Sequence, residues 1–144
     1  MNTQQITQNT LDDIEVSLKL KLAALWASFM FLYIYIDYLH FYMPNTIKDI
    51  QAGRVFVFDI TQGFLLVVLV LMTIPVLMIF LSVALPAKVN RWANIIIATV
   101  HIPYTLFNLV GEAWMHMVFG AVVEVVLLCL IIRYAWKWTP RIES

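Results

Sequence analysis

Two carboxylates and three histidines fall inside stretches that are otherwise apolar: Asp37, His40, His101, His116 and Glu124. These residue types can hold a metal ion, pass a proton or bind a cation. Their spacing groups them. Trp26, Met30, Tyr33, Asp37 and His40 alternate by three and four, which puts them along one stripe of a helix. Asn94, His101, Tyr104 or Thr105, and Asn108 form a second stripe. Glu112, His116, Gly120 and Glu124 lie four apart along a third. No Lys or Arg sits in the apolar stretches near Asp37 or Glu124. These acids must therefore be protonated, pair with a histidine, hold a cation, or meet Arg54 reaching in from a neighbouring loop. The candidate ligand-binding set is Tyr33, Asp37, His40, His101, Tyr104, Asn108, His116 and Glu124.

No metal is predicted. The HEXXH pattern is absent, and the acid and histidine of EAWMH, residues 112–116, match no known ligand motif. No spacing names a cofactor or a reaction, so the reading leans away from an enzyme.

The elements that position these groups follow from composition. The chain has 144 residues, enough for one domain. It is 62% hydrophobic and 12% charged, far from the balance of a water-soluble domain. Net charge is zero, and nothing suggests a nucleic-acid-binding patch. The single cysteine, Cys129, excludes a disulfide framework. The first twenty residues are polar and acidic, and no signal peptide is read there.

Four stretches are long and apolar enough to span a bilayer, at about 22–43, 60–85, 92–110 and 113–136. Such spans must be helical, because lipid offers the backbone no hydrogen bonds. Pro75 and Pro103 fall inside spans two and three and predict kinks. Thr10 with Asp13 reads as a capping box opening an amphipathic helix over about 10–21. The fold class is all-α: an integral membrane antiparallel four-helix bundle in one domain, 1–144.

With the N-terminus inside, the inner side carries Lys19, Lys21, Lys88, Arg91, Arg133, Lys137 and Arg141, and the outer side only Lys48 and Arg54. That bias puts both termini in the cytoplasm. Trp26, Trp92, Trp136 and Trp138 then mark the inner interface and Trp114 the outer one. Residues 86–91, PAKVNR, read as a tight inner turn, and 109–112 as a tighter outer one. The outer loop PNTIKDIQAGRVFVFD reads as a lid. Its TIKD opens a short helix, and RVFVF alternates like a strand with no second strand to pair with.

At about 1.5 Å per residue, His40 and His116 lie about 5 Å below the outer end, and Asp37 and Tyr104 about 9 Å. His101 and Tyr33 lie about 14 Å down, and Glu124 about 18 Å below Glu112, near the midplane. The ionisable groups thus crowd the outer half. An acid at this depth costs about 2.5 to 3.5 kcal/mol and is a functional hypothesis by default.

The run KLKLAALWASFMFLYIYIDY, then PVLMIFLSVALPAKVNRWANI, then the GEAW hairpin resembles an uncharacterised family of small bacterial four-span membrane proteins of unknown function. In span number and size the chain is also similar to the DoxX-like superfamily. The resemblance implies a multi-pass protein of the bacterial inner (cytoplasmic) membrane, and it carries no established catalytic residues. The small multidrug resistance transporters also have four spans, but their glutamate lies in the first. Here span one has Asp37 near its outer end, and the deep glutamate is on span four.

The expectation is a pocket open to the outer face, binding a small amphipathic or cationic ligand. The alternatives are a proton-coupled small-molecule transporter working through Glu124, a metal- or quinone-linked membrane enzyme, and a structural partner of another membrane protein. The lipid bilayer is the expected partner, nucleic acid is not, and a homo-oligomer is left open.

Overall fold

The computed structural model describes residues 15–111 and 113–138. Its elements are α1 (Leu18–His40), α2 (Thr46–Gln51), β1 (Arg54–Val55), β2 (Phe58–Asp59), α3 (Gln62–Ala84), α4 (Ala87–Phe107) and α5 (Met115–Lys137). The protein is mostly helical. The departure from all-α is the small antiparallel pair β1–β2, with Arg54 opposite Asp59 and Val55 opposite Phe58.

Helix ends follow local chemistry rather than the limits of the apolar runs. Ser17 caps α1, its hydroxyl accepting the amide of Leu20 at 3.4 Å. Thr61 caps α3 in the same way, accepting from Phe64 at 3.1 Å. Residues 15–17 are not helical. The expected amphipathic helix over 10–21 therefore does not run through Ser17. Lys19 and Lys21 belong to α1 instead, and the Thr10–Asp13 box lies outside the described residues.

α1 also ends at His40 rather than Met43, because the chain turns through 41–45 and Asn45 takes a left-handed φ of 67°. Its residues thus lie about 4.5 Å closer to that end than a helix to Met43 would place them. PAKVNR is not a turn. Leu85 and Pro86 make the whole break, and α4 begins at Ala87. Proline suits this place, since it supplies no amide that a helix start must satisfy. Pro75 and Pro103 lie inside unbroken α3 and α4. Between α4 and α5 the chain reverses at Gly111, whose φ of 106° strains any other residue.

The four long helices form a closed ring in the order α1, α3, α4, α5. Three side-chain contacts fix their directions. Lys19, at the start of α1, donates to the carbonyls of Val83 and Leu85 at the end of α3, at 3.1 and 2.7 Å. Asn90 near the start of α4 donates to the Ser82 carbonyl near the end of α3 at 2.5 Å. Arg91 donates to the carbonyl of Trp136, near the end of α5, at 3.2 Å. Neighbours in the ring are therefore antiparallel, and α1 and α4 run parallel across its diagonal. One end, which we term the basic end, carries Lys19, Lys21, Lys88, Arg91 and Lys137. The other, the hairpin end, carries α2 and β1–β2.

The core is built from Leu22, Trp26, Phe29, Met30 and Tyr33 of α1, Met78 of α3, Ala98 of α4, and Leu128 and Ile131 of α5. On α5, Gly120 faces α1 so closely that a Cβ there would overlap the Ile36 side chain. In α3 only Pro75, Met78 and Ser82 are buried, while Leu65, Leu66, Val67, Leu69, Val70, Phe80 and Val83 are exposed. Such a surface belongs in hydrocarbon, not water.

Three helices, α1, α3 and α5, are long and apolar enough to cross a membrane. These apolar helices mark a multi-pass membrane protein associated with the lipid bilayer. α4 has 21 residues but is less apolar, because Asn90, Arg91, Asn94 and His101 interrupt it.

Candidate functional site

The hairpin half of the ring gathers most of the polar residues that stand out in the sequence. Tyr33 on α1 and Tyr104 on α4 stack across the diagonal with ring centroids 6.4 Å apart, and their hydroxyls are 3.3 Å apart. Asn108 donates from its amide nitrogen to the Tyr33 hydroxyl at 3.4 Å. The early end of α1 moves Tyr33 about 4.5 Å towards the level of Asn108.

Glu124 of α5 is buried, with 3% of its surface exposed. It faces Thr105 of α4, which is equally buried, and Asp37 lies close enough for the two carboxyls to interact electrostatically. Asp37 also interacts with the Tyr33 hydroxyl. Asp37 itself is exposed. It follows Tyr33 by one turn on the same stripe, at the level where α4 has given way to the turn at Asn108–Gly111, so it sits at the rim.

Three buried polar atoms in this half have no hydrogen-bond partner among the described residues: Glu124 Oε1, Thr105 Oγ1 and His116 Nε2. Buried polar groups are otherwise almost always paired, because an unpaired one costs about 1 to 3 kcal/mol. Small residues make the arrangement possible. Gly120, one turn before Glu124, lets α5 approach α1 at Ile36.

The three histidines do not converge. His101 is a core residue. Its Nδ1–H donates to the Ile97 carbonyl at 2.9 Å, and its ring meets Trp26, Phe29 and Tyr104 edge-on at 6.1, 6.0 and 6.1 Å. His40 packs against Phe56 of the hairpin with centroids 5.2 Å apart. His116 is half-buried beside Trp114 at 6.2 Å. Among the described residues no three His, Cys, Asp or Glu side chains are placed to hold a metal ion. Glu112, the first member of the α5 stripe, lies outside the described residues.

The loop over the hairpin end differs from expectation in two respects. RVFVF does find a partner strand, because the chain reverses at Phe56–Val57 and Phe58–Asp59 pairs back on Arg54–Val55. Phe56 takes φ 53° in this two-residue turn, a place where glycine or asparagine is usual. Its ring reaches His40, and Phe58 stacks on Phe64 at the start of α3 at 5.6 Å. The short helix does form as α2, but it starts after Asn45 with no side-chain cap.

Sequence spacing passed over a second polar cluster, at the basic end. Trp26 donates its indole N–H to Asn94 Oδ1 at 2.7 Å, and Ser82 donates to the same oxygen at 3.3 Å. The Asn94 amide nitrogen donates to the Asn90 carbonyl and side-chain oxygens at 2.9 and 2.6 Å. Asn90 in turn donates to the Ser82 carbonyl. Asn94 was visible as the start of the α4 stripe. The signal for Asn90 is its place one turn earlier, and for Ser82 its spacing of four from Met78.

A family model matches residues 13–142. The chain belongs to that family, DUF6326, a family of unknown function. No curated protein and no solved structure matches it. Membership in DUF6326 therefore brings no catalytic or binding residues with it, and none of the comparisons supports the DoxX-like resemblance. What a DUF6326 protein of this sequence does must be argued from its own side chains.

Proposed function

We propose that α4 is a fourth membrane span, so that the chain crosses the bacterial inner membrane four times with both termini in the cytoplasm. The 21 residues of α4 suit the about 20 that a span needs. Its polar side chains, Asn90, Asn94, His101 and Thr105, are buried against other helices instead of facing lipid. The excess of Lys and Arg at the basic end makes that end cytoplasmic.

In this orientation the outer half of the ring binds a small amphipathic cation. Asp37 meets it at the rim, Glu124 balances its charge within, and Tyr33, Tyr104 and Asn108 line the way. His40 and His116 flank the mouth, and His101 serves as wall. The observation that carries this reading is the Glu124 carboxyl, buried beside Thr105 and near Asp37, with one oxygen unpaired and no cationic side chain among its interacting neighbours in the described residues. A carboxylate so placed needs a proton or a cation. Transport across the membrane has less support, because Trp26, Ser82, Asn90 and Asn94 are packed at 0% exposure on the cytoplasmic side of the site.

The test is thermal stabilisation of the purified protein by tetraphenylphosphonium and by a short alkyltrimethylammonium. Ligand that binds only the folded state raises its stability by mass action. The wild type is expected to gain several degrees, and Asp37→Asn and Glu124→Gln each to lose most of that gain. Equal gains in all three proteins rule the site out.

A further inference from the structure

At the end of the ring opposite Glu124, a cleft of about 290 Å³ opens between the first turn of α4 and the last of α5, lined by Ala87, Lys88, Arg91, Trp92 and Trp138. We propose that this cleft binds the phosphate of an anionic lipid headgroup, held by Lys88 and Arg91 between the indoles of Trp92 and Trp138.

Arg91 is already fixed in place. One terminal nitrogen donates to the Trp136 carbonyl at 3.2 Å, and the guanidinium carbon lies 5.9 Å from the ring centroids of both Trp92 and Trp136. This leaves donors of its fork unused by the described residues, among which buried Nε has no partner. A guanidinium held this way loses little freedom on binding, and its planar fork matches phosphate. Lys88 is exposed and adds a second positive charge. Among the described residues, whose acids are Glu15, Asp37, Asp49, Asp59 and Glu124, none forms an ion pair with Lys88 or Arg91. Two cations thus share a cleft without a counter-charge from the described residues.

The walls favour a lipid over a free anion. Ala87, Trp92 and Trp138 present methyl and ring surface, and indoles prefer the boundary between headgroups and acyl chains. A basic pocket between helices at that level is the geometry that takes anionic headgroups. The chemistry is independent of the Glu124 reading. Only the naming of the leaflet, as the inner one, rests on the proposed orientation.

Native mass spectrometry of the full chain, released from micelles doped with phosphatidylglycerol or phosphatidylcholine, tests this. Phosphatidylglycerol is expected to be retained in preference to phosphatidylcholine. Lys88→Ala should weaken its binding about fivefold, the effect of one surface charge, and Lys88→Ala with Arg91→Gln about 25-fold. Should Arg91→Gln fail to fold, Lys88→Ala carries the test by itself. Arg133→Ala removes one charge from α5 outside the cleft and should leave binding within about twofold. Equal retention of the two lipids, or an equal loss in Arg133→Ala and Lys88→Ala, overturns the proposal. Displacement of the lipid by excess inorganic phosphate overturns it too, by making a free anion the occupant.

Discussion

The ring holds two buried polar clusters, and they are finished to different degrees. Near the basic end, Trp26, Ser82, Asn90 and Asn94 satisfy one another through short hydrogen bonds that join α1, α3 and α4. In the other half, Glu124, Thr105 and His116 each keep an unpaired buried atom. The two clusters share α4, while the completed one draws its other members from α1 and α3 and the open one from α5. A completed network fixes the register of the helices. An incomplete one leaves groups for something else to satisfy, and it does so beside the exposed carboxyl of Asp37.

Mutations can separate these roles. The largest effect is expected at the completed cluster. Asn94→Leu removes the acceptor of Trp26 and Ser82 and the donor to Asn90, and should destabilise the protein by about 3 kcal/mol in a reversible unfolding assay in detergent. A loss below about 0.5 kcal/mol would mean that the network is not what holds this end. Next is the seam beneath the open cluster. Gly120→Ala forces its methyl onto Ile36 and should cost about 2 kcal/mol, part of which Ile36→Val recovers. Failure of the second change to recover anything would show that α5 can shift freely against α1.

Opposite in sign is Glu124→Gln. It replaces a buried acid with a neutral amide of similar shape and should raise stability by about 1 kcal/mol while removing most of the ligand response. A destabilised variant would mean that Glu124 is an ordinary packed member of the core. Smallest is Tyr33→Phe, which breaks the hydroxyl contacts to Tyr104 and Asn108 but keeps the stack, and should cost under about 1 kcal/mol. Its larger effect is expected on the ligand-induced shift, read in the same thermal assay.

Much of this arrangement could be read from residue order. The apolar runs located the long helices, since an unbroken stretch of Leu, Val and Ile has few other fates. Helix ends were less legible because caps and turns set them. Ser17 and Thr61 start helices, and the turn after His40 stops one, without regard to where the apolar run ends. The inward face of Glu124 followed from its spacing with His116 and Gly120. That Glu124 faces Thr105 did not, because spacing along α4 could not choose between Tyr104 and Thr105. The hairpin was missed for a similar reason. Phe56 occupies a turn position where sequence patterns look for glycine or asparagine, so nothing marked the reversal. His101 looked like a ligand by type, and only its neighbours reveal it as a ring packed among Trp26, Phe29 and Tyr104.

The two-residue link at Leu85–Pro86 also bears on how the chain is made. α4 is the least apolar long helix, and in the proposed topology it would enter the lipid poorly from a translocon by itself. α3, emerging just before it, is the most apolar and carries Ser82 next to the link. A newborn α4 can therefore mask Asn90 against α3 as the two leave the channel as one insertion unit, with Trp26 of α1 waiting to receive Asn94. Lengthening that link by a flexible insert should strand α4 outside the membrane, which a glycosylation-site or cysteine-accessibility reporter placed after Phe107 would register.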